Sequence, residues 1–359
     1  MTKIPIYKPL IPPKSEEYAI DAIKSSWISS LGPYLEKVED KLRELSGCKY
    51  VIPVNNGTSA THLVAKSLNK FQPSVKRILI PSACYVAAYN CLVYDKNNWS
   101  VKCIDLDPLT WNMKIEKVEE GDAIFAVHNL GNIINIPDLK EKFDCPIVED
   151  NCEGFFGSYN GLPAGSASLC SSLCFFGNKN VTCGEGGAFL TNDEEIYKFA
   201  NKIKAQGQTS TRYIHNELGY NYRMTNIQAA LLLGQLEEVE FIKENKKRIF
   251  DYYRENLSFI EGALIQQVER GTTHSMWMIG VRFHPQNFSL PKLEQELAEN
   301  GIETRRMFYP YTAHSHLNFK GESKLASLIN SQVLILPSYP ELKNVEIDKI
   351  CYIIAQHLK

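Results

Sequence analysis

In CPIVEDN, residues 145–151, a short apolar run ends in two carboxylates. A run of that length, bounded by turn-forming or charged residues, suits a strand buried on both faces of a parallel sheet. Working outward, RILIPS (77–82) and DAIFAVHN (122–129) repeat the pattern, and KYVIPVNNG (49–57) reads as a strand entering a tight turn. Helical segments alternate with them. PYLEKVEDKLRELSG (33–47) opens with Pro33 at a first helical position, carries Leu35, Val38, Leu42 and Leu45 on one face, and stops at Gly47. TSATHLVAKSL (58–68) brings Ala60, Leu63, Val64 and Leu68 into phase. This succession predicts an α/β fold with a mostly parallel central sheet flanked by helices on both faces.

From Thr225 a helical pattern runs through TNIQAALLLGQLEEVEFIKENKKRIFDYYRENL, turning from apolar to highly charged as it proceeds. One long helix that leaves the core to bridge two domains would read this way. The chain of 359 residues is long enough for about two domains. The boundary is expected inside that helix, giving a large domain over 1–240 and a smaller α+β domain over 241–359.

Composition excludes several classes. With 39 basic and 41 acidic residues the net charge is −2, so no long-range field favours nucleic acid or an anionic membrane surface. No stretch approaches a membrane-spanning length, and the opening MTKIPIYKPLIPPKSEE lacks a signal peptide's apolar run. The ten cysteines are scattered in apolar contexts without a Cys-x-x-Cys pair. They read as free thiols in a reducing cytoplasm, and a zinc site is not expected.

Four segments carry chemistry. NNGTSATHL places Gly57 in a tight turn, with Thr58 and Ser59 opening a helix whose free N–H groups suit a phosphate. Taken alone, a strand-turn-helix with a threonine cap accounts for it equally well. PIVEDNCEGFFG puts Asp150 at the carboxyl end of a buried strand, where ligands gather in open α/β sheets. A carboxylate there can keep a protonated ring nitrogen cationic, although a loop acid needs no such partner. NKNVTCGEGGAFLTND (178–193) sets Lys179 among small and apolar residues before Gly184, Gly186 and Gly187. A desolvated lysine is a Schiff-base nucleophile; most lysines are merely solvated. LGYNYRMTNIQAA (218–230) offers Asn221 and Arg223 among aromatics ahead of a helix. A phosphate cup, a strand-end aspartate and a lysine 29 residues later are, in that order, what a pyridoxal phosphate site requires.

Over nearly its whole length the sequence resembles the DegT/DnrJ/StrS family of pyridoxal phosphate sugar aminotransferases. The motifs NNGTSA, VEDNCEGFFGSYNG, FFGNKNVTCGEGGAFLTND and GYNYRMTNIQAA occur in the family's order, between WISSLGPYLEKVE and ETRRMFYP. The resemblance implies a type I aminotransferase fold. It implies that Lys179 binds the cofactor's aldehyde, that Asp150 pairs with the pyridine nitrogen, and that Tyr85 lies on the ring face. Gly57, Thr58 and Ser59 match the phosphate cup. Asn221 matches an asparagine that reaches the phosphate from the other subunit, so a homodimer with shared sites is implied. Arg223, Arg305 and Tyr309 fall in segments lining the substrate cleft.

Three positions depart from the family pattern. Cys174 stands where a phosphate-binding serine is common; a thiol is the poorer donor. Phe176 replaces a frequent histidine, and Glu153, near the ring hydroxyl, replaces glutamine or histidine. The implied reaction moves an amino group from L-glutamate to C4 of a dTDP-, UDP- or GDP-linked 4-keto-6-deoxy-hexose, as in perosamine- and viosamine-forming relatives. Relatives acting at C3 and a non-catalytic, cofactor-binding regulator are the alternatives. The branch that performs 3-dehydration carries histidine in place of the lysine, which Lys179 argues against.

Overall fold

The computed structural model describes residues 3–95, 97, 99–284 and 288–358. Helices α1 (Pro13–Lys24) and α2 (Pro33–Ser46) lead into β1 (Tyr50–Val54) and α3 (Gly57–Phe71). There follow β2 (Arg77–Pro81), α4 (Val86–Cys91), β3 (Ser100–Ile104), β4 (Asp122–Val127), α5 (Ile136–Lys142) and β5 (Ile147–Asp150). A small ribbon, β6 (Ser158–Tyr159) and β7 (Leu162–Pro163), precedes β8 (Ser171–Cys174), β9 (Gly187–Thr191) and α6 (Glu194–Ile203). The remainder is α7 (Asn226–Glu237), α8 (Val239–Ser258), β10 (Ala263–Ile265), β11 (Thr272–Thr273), β12 (Ile279–Phe283) and α9 (Leu290–Glu299). It closes with β13 (Arg305–Arg306), β14 (Lys320–Gly321), α10 (Lys324–Gln332), β15 (Val333–Leu336) and α11 (Asn344–His357).

Among the described residues the large sheet has the order β1-β9-β8-β5-β4-β2-β3-β14. Pairing is parallel from β8 through β14, and β9 is antiparallel to both its neighbours. The predicted strands therefore fall where expected, in a mostly parallel sheet. Side-chain alternation gives the sheet two buried faces. Ile52, Val54 and Phe189 join α3 and α6 on one side. Val51, Leu173, Ala188 and Leu190 join α2 and α7 on the other.

Helix α2 ends as its sequence dictates, with Gly47 in the left-handed region at φ 67°. Val38 and Leu42 are fully buried, whereas Leu35 and Leu45 sit half-buried at the edge of the core. The helix predicted to run unbroken from Thr225 is instead two helices. Thr225 and Gln228 form a reciprocal capping box at its start. At Glu238 (φ −100°, ψ 18°) the backbone leaves helical geometry and α8 sets off anew. Gly234 lets α1 approach α7 closely, since a Cβ there would lie 2.6 Å from Ser15 Cα.

After α8 the chain forms a four-stranded sheet, β10-β12-β15-β13, all antiparallel. Its apolar face packs on α8, α9 and α11. Several backbone connections cross between the parts. Ile4 pairs with Ile302 beside the small sheet, and β14 adds a parallel edge to β3 of the large one.

Candidate active site

The carboxyl ends of the parallel strands share one edge of the large sheet, and the predicted residues collect there. Strand β5 ends at Asp150 and β8 at Cys174; the turn after β1 reaches Gly57. The register pairs Glu149 with Ser171 and Asp150 with Ser172, so the same offset sets Cys152 beside Cys174.

Helix α3 is capped by Asn56, whose side chain accepts from Ser59 N at 2.8 Å, rather than by a threonine. The cap takes the Ser59 N–H and leaves those of Gly57 and Thr58 at the helix mouth. Gly57 is required by contact. A Cβ on it would stand 2.6 Å from Cys174 Cβ and 2.7 Å from Sγ.

Asp150 is buried, and both its donors fall on Oδ1: Cys152 N at 3.0 Å and Ser172 Oγ at 3.5 Å. That leaves Oδ2 without a donor among the described residues. Glu153 is buried too, and its Oε2 accepts Leu130 N at 2.8 Å. Burial pushes its carboxyl up to about 7, against the opposing charge of Lys179. The Cys174 thiol is lowered to about 7, first by the neighbouring Cys152 thiol and then, against burial, by Lys179. Cys152 is correspondingly raised.

Lys179 follows β8 on a tight turn closed by Lys179 N→Phe176 O at 2.9 Å. Its Nζ lies over the Trp277 indole, 3.8 Å from the ring centroid. Tyr7 donates its hydroxyl to Lys179 O at 2.7 Å. A small pocket is lined by Lys179, Glu153, Cys152, Cys174, Asn180 and Trp277, among others. Asn180 Oδ1 is buried there without a donor.

The remaining candidates sit farther out. Tyr85 caps α4 and is 59% exposed, with Phe308 at 6.2 Å between ring centroids. Tyr309 is exposed beside Pro310, which pairs with Ala83, so both tyrosines rim the same opening. Arg223 pairs through its backbone with Val54, next to the Gly57 turn. Asn221 is exposed, and its carbonyl accepts from Asn55 Nδ2 at 3.5 Å. Arg305 lies on β13 with Glu303 at 3.9 Å. None of Arg223, Arg305 and Tyr309 lines the cavity itself. Sequence reasoning missed Trp277, Tyr7 and Lys246. The signal available was a lone tryptophan in SMWMIG and a lysine within an amphipathic helix, and neither spacing relates it to Lys179.

These residues fit pyridoxal phosphate on the chemistry of the donor set. A helix mouth opens beside Gly57, a carboxylate oxygen faces the edge at Asp150, and a lysine amine stands in the pocket beside Glu153. Glu153 can donate or accept near neutral pH.

Comparison with known proteins agrees. The chain is 32% identical to GDP-perosamine synthase of Escherichia coli O157:H7, covering 98% of this chain and 97% of that one. It is 30% identical to GDP-perosamine synthase of Vibrio cholerae over 99% of each. In fold it is similar to E coli GDP-4-keto-6-deoxy-D-mannose-3-dehydratase with bound hydrated PLP, with TM-score 0.91 at 20% identity over 100% of each chain. The model of the DegT/DnrJ/EryC1/StrS aminotransferase family matches residues 10–355, and the chain belongs to that family.

Proposed function

We propose that this chain is a transaminase that uses pyridoxal phosphate to carry the amino group of L-glutamate to C4 of a GDP-linked 4-keto-6-deoxy-hexose. The observation that carries the reading is the convergence of Lys179, Glu153, Asp150 and the Gly57 turn at one sheet edge. Full-length identity of 30–32% to two GDP-perosamine synthases supports the C4 position and the guanine nucleotide over dTDP or UDP.

When bound, the cofactor supplies an aldehyde that carries nitrogen between the two substrates and a ring that takes up the electrons of the breaking C–H bond. The protein's residues do the rest. Lys179 Nζ would hold the aldehyde end of the cofactor and, when free, would take the proton from the donor's α-carbon. Asp150 Oδ2 would face the ring nitrogen and keep it protonated. The Gly57 and Thr58 N–H groups, with the Ser59 and Thr58 hydroxyls, receive the phosphate. Glu153 would meet the ring hydroxyl and Tyr85 would cover the ring face. Arg223, Arg305 and Tyr309 bind the sugar nucleotide.

A homodimer completes the site in this reading. Exposed Ile20, Ile23, Trp27, Ile28 and Leu31 form an apolar surface along and after α1, and Asn221 faces outward to meet a partner's phosphate. In this reading residues 1–240 carry the cofactor and 241–359 form the smaller domain, a division that the helix break at Glu238 supports.

The test is visible absorbance before and after L-glutamate. A yellow protein that bleaches, and that then converts a GDP-linked 4-keto sugar into a product aminated at C4 by NMR, meets the proposal. Amination at C3 would assign the chain to the other position. A protein colourless even after added cofactor would overturn the reading of Lys179.

A further inference from the structure

Lys246 lies on α8, far in sequence from any motif, yet it is 1% exposed. Its ammonium donates to Trp277 O at 2.8 Å, to Ser338 O, and to Ser338 Oγ at 3.4 Å. The rings of Tyr7 and Phe250 lie 5.5 and 5.6 Å away. No carboxylate is among these partners, and burial lowers the amine well below the usual lysine range. A buried lysine in such surroundings is costly unless its donors are satisfied. Here the acceptors it satisfies belong to the segments that support Lys179.

That support is extensive. Trp277 Nε1 donates to Asn178 O at 2.8 Å, and Asn180 Nδ2 donates to Ser275 O at 2.9 Å. The residues on both sides of Lys179 are thus fastened to the two sides of Met276. Met276 is itself in the left-handed region at φ 59°, and so is Leu130 at φ 57° on the facing turn. The two turns are joined by Ser275 N→Gly131 O at 2.8 Å and Met278 N→Leu130 O at 3.4 Å, and Ser275 Oγ donates to Glu153 O at 2.6 Å. Non-glycine residues persist in such backbone only where their surroundings over-determine it. The result of all this fastening is one placement, the Trp277 indole under Lys179 Nζ.

We propose that Trp277 is a positioning residue for proton transfer, its indole face holding the ammonium that Lys179 Nζ becomes on taking the α-proton, with Lys246 anchoring the Trp277 backbone carbonyl. The proposal rests on the transaminase reading for its consequence in turnover, but not for its geometry. An aromatic face within this distance attracts an ammonium strongly enough that losing it costs about tenfold in a rate that depends on that placement. Tyr7 completes the support from the backbone side of Lys179.

The experiment compares Trp277→Leu, Trp277→Phe and Lys246→Met with the wild type, each checked for native circular dichroism. In the cofactor-free chain, Lys179 is labelled with trinitrobenzenesulfonate and followed by peptide mass. Labelling several-fold faster in Trp277→Leu and Lys246→Met, and near wild type in Trp277→Phe, is expected. In the loaded enzyme, kcat falls about tenfold in Trp277→Leu with the KM for glutamate within about twofold. The kinetic isotope effect with α-deuterated glutamate rises, and Trp277→Phe restores most of the rate. A loss confined to KM or to thermal stability, with an unchanged isotope effect, overturns the proposal. So does equal labelling in all four proteins. A wild type that ignores glutamate would instead sink the transaminase reading, while the labelling comparison would still decide the placement of Lys179.

Discussion

Replacing Glu153 with glutamine should change how the cofactor-free protein's stability depends on pH. In the folded chain burial raises this carboxyl from the ordinary 4.5 to about 7. The folded state therefore binds the proton more tightly than the unfolded state does. The stabilisation is complete below about pH 4.5, is lost as pH rises towards 7, and is absent above it. The interval is about 2.5 pH units, and at 1.36 kcal/mol per unit it amounts to about 3 kcal/mol. Glutamine is close in shape to the protonated acid and can still accept from Leu130 N, but it has no charge to bury. The variant should match the wild type near pH 4.5 and exceed it by up to about 3 kcal/mol at pH 8. Urea unfolding of both proteins at pH 5, 6, 7 and 8 measures the difference directly. A difference that stays flat with pH would refute the argument, since it would mean that ionising Glu153 is not coupled to folding.

Three further outcomes are expected. Lys179→Ala should lose more than about 10³-fold in turnover and show no bleaching with glutamate in a spectrophotometer; wild-type turnover would exclude Lys179 as the base. Cys174→Ser should bind pyridoxal phosphate as tightly as the wild type or more so in a spectroscopic titration, because a hydroxyl is the better donor to a phosphate oxygen. A marked loss would mean that the phosphate lies elsewhere. Gly57→Ala brings a methyl to within 2.7 Å of the Cys174 side chain, so the mouth of α3 must shift. Its cofactor Kd should weaken by about tenfold or more in the same titration, and an unchanged Kd would place the phosphate away from this turn.

The strands legible in the sequence are those buried on both faces. Arg77–Pro81, Asp122–Val127 and Ile147–Asp150 are continuous apolar runs because a parallel sheet covers both their sides. Strand β9 escaped because its first residue is Gly187 and its pairing is antiparallel, set by a loop rather than by a crossover helix. The break at Glu238 was hidden by acidic residues that continue the helical pattern across it. The sequence reads Thr58 and Ser59 as the opening of α3, whereas Asn56 already accepts from the first turn. Lys179, Asp150 and Gly57 were readable because each sits in a local motif at a strand end. Trp277, Tyr7 and Lys246 reach the same place from segments with no local signature, and only the folded chain relates them to the lysine.

The pairing of Ile4 with the Gly301–Glu303 segment bears on how the molecule is made. Ile4 N donates to Gly301 O at 2.8 Å, and Glu303 N donates to Ile4 O at 2.9 Å. Tyr7, three residues on, reaches Lys179. On a ribosome, residues 4–7 emerge about three hundred residues ahead of the 301–303 segment that Ile4 pairs with. Strand β14 reaches its place beside β3 later still. The nascent chain thus forms most of its large sheet with an edge uncovered and one lysine support incomplete. The Ile4 pairing and the β14 edge both wait for residues beyond 300.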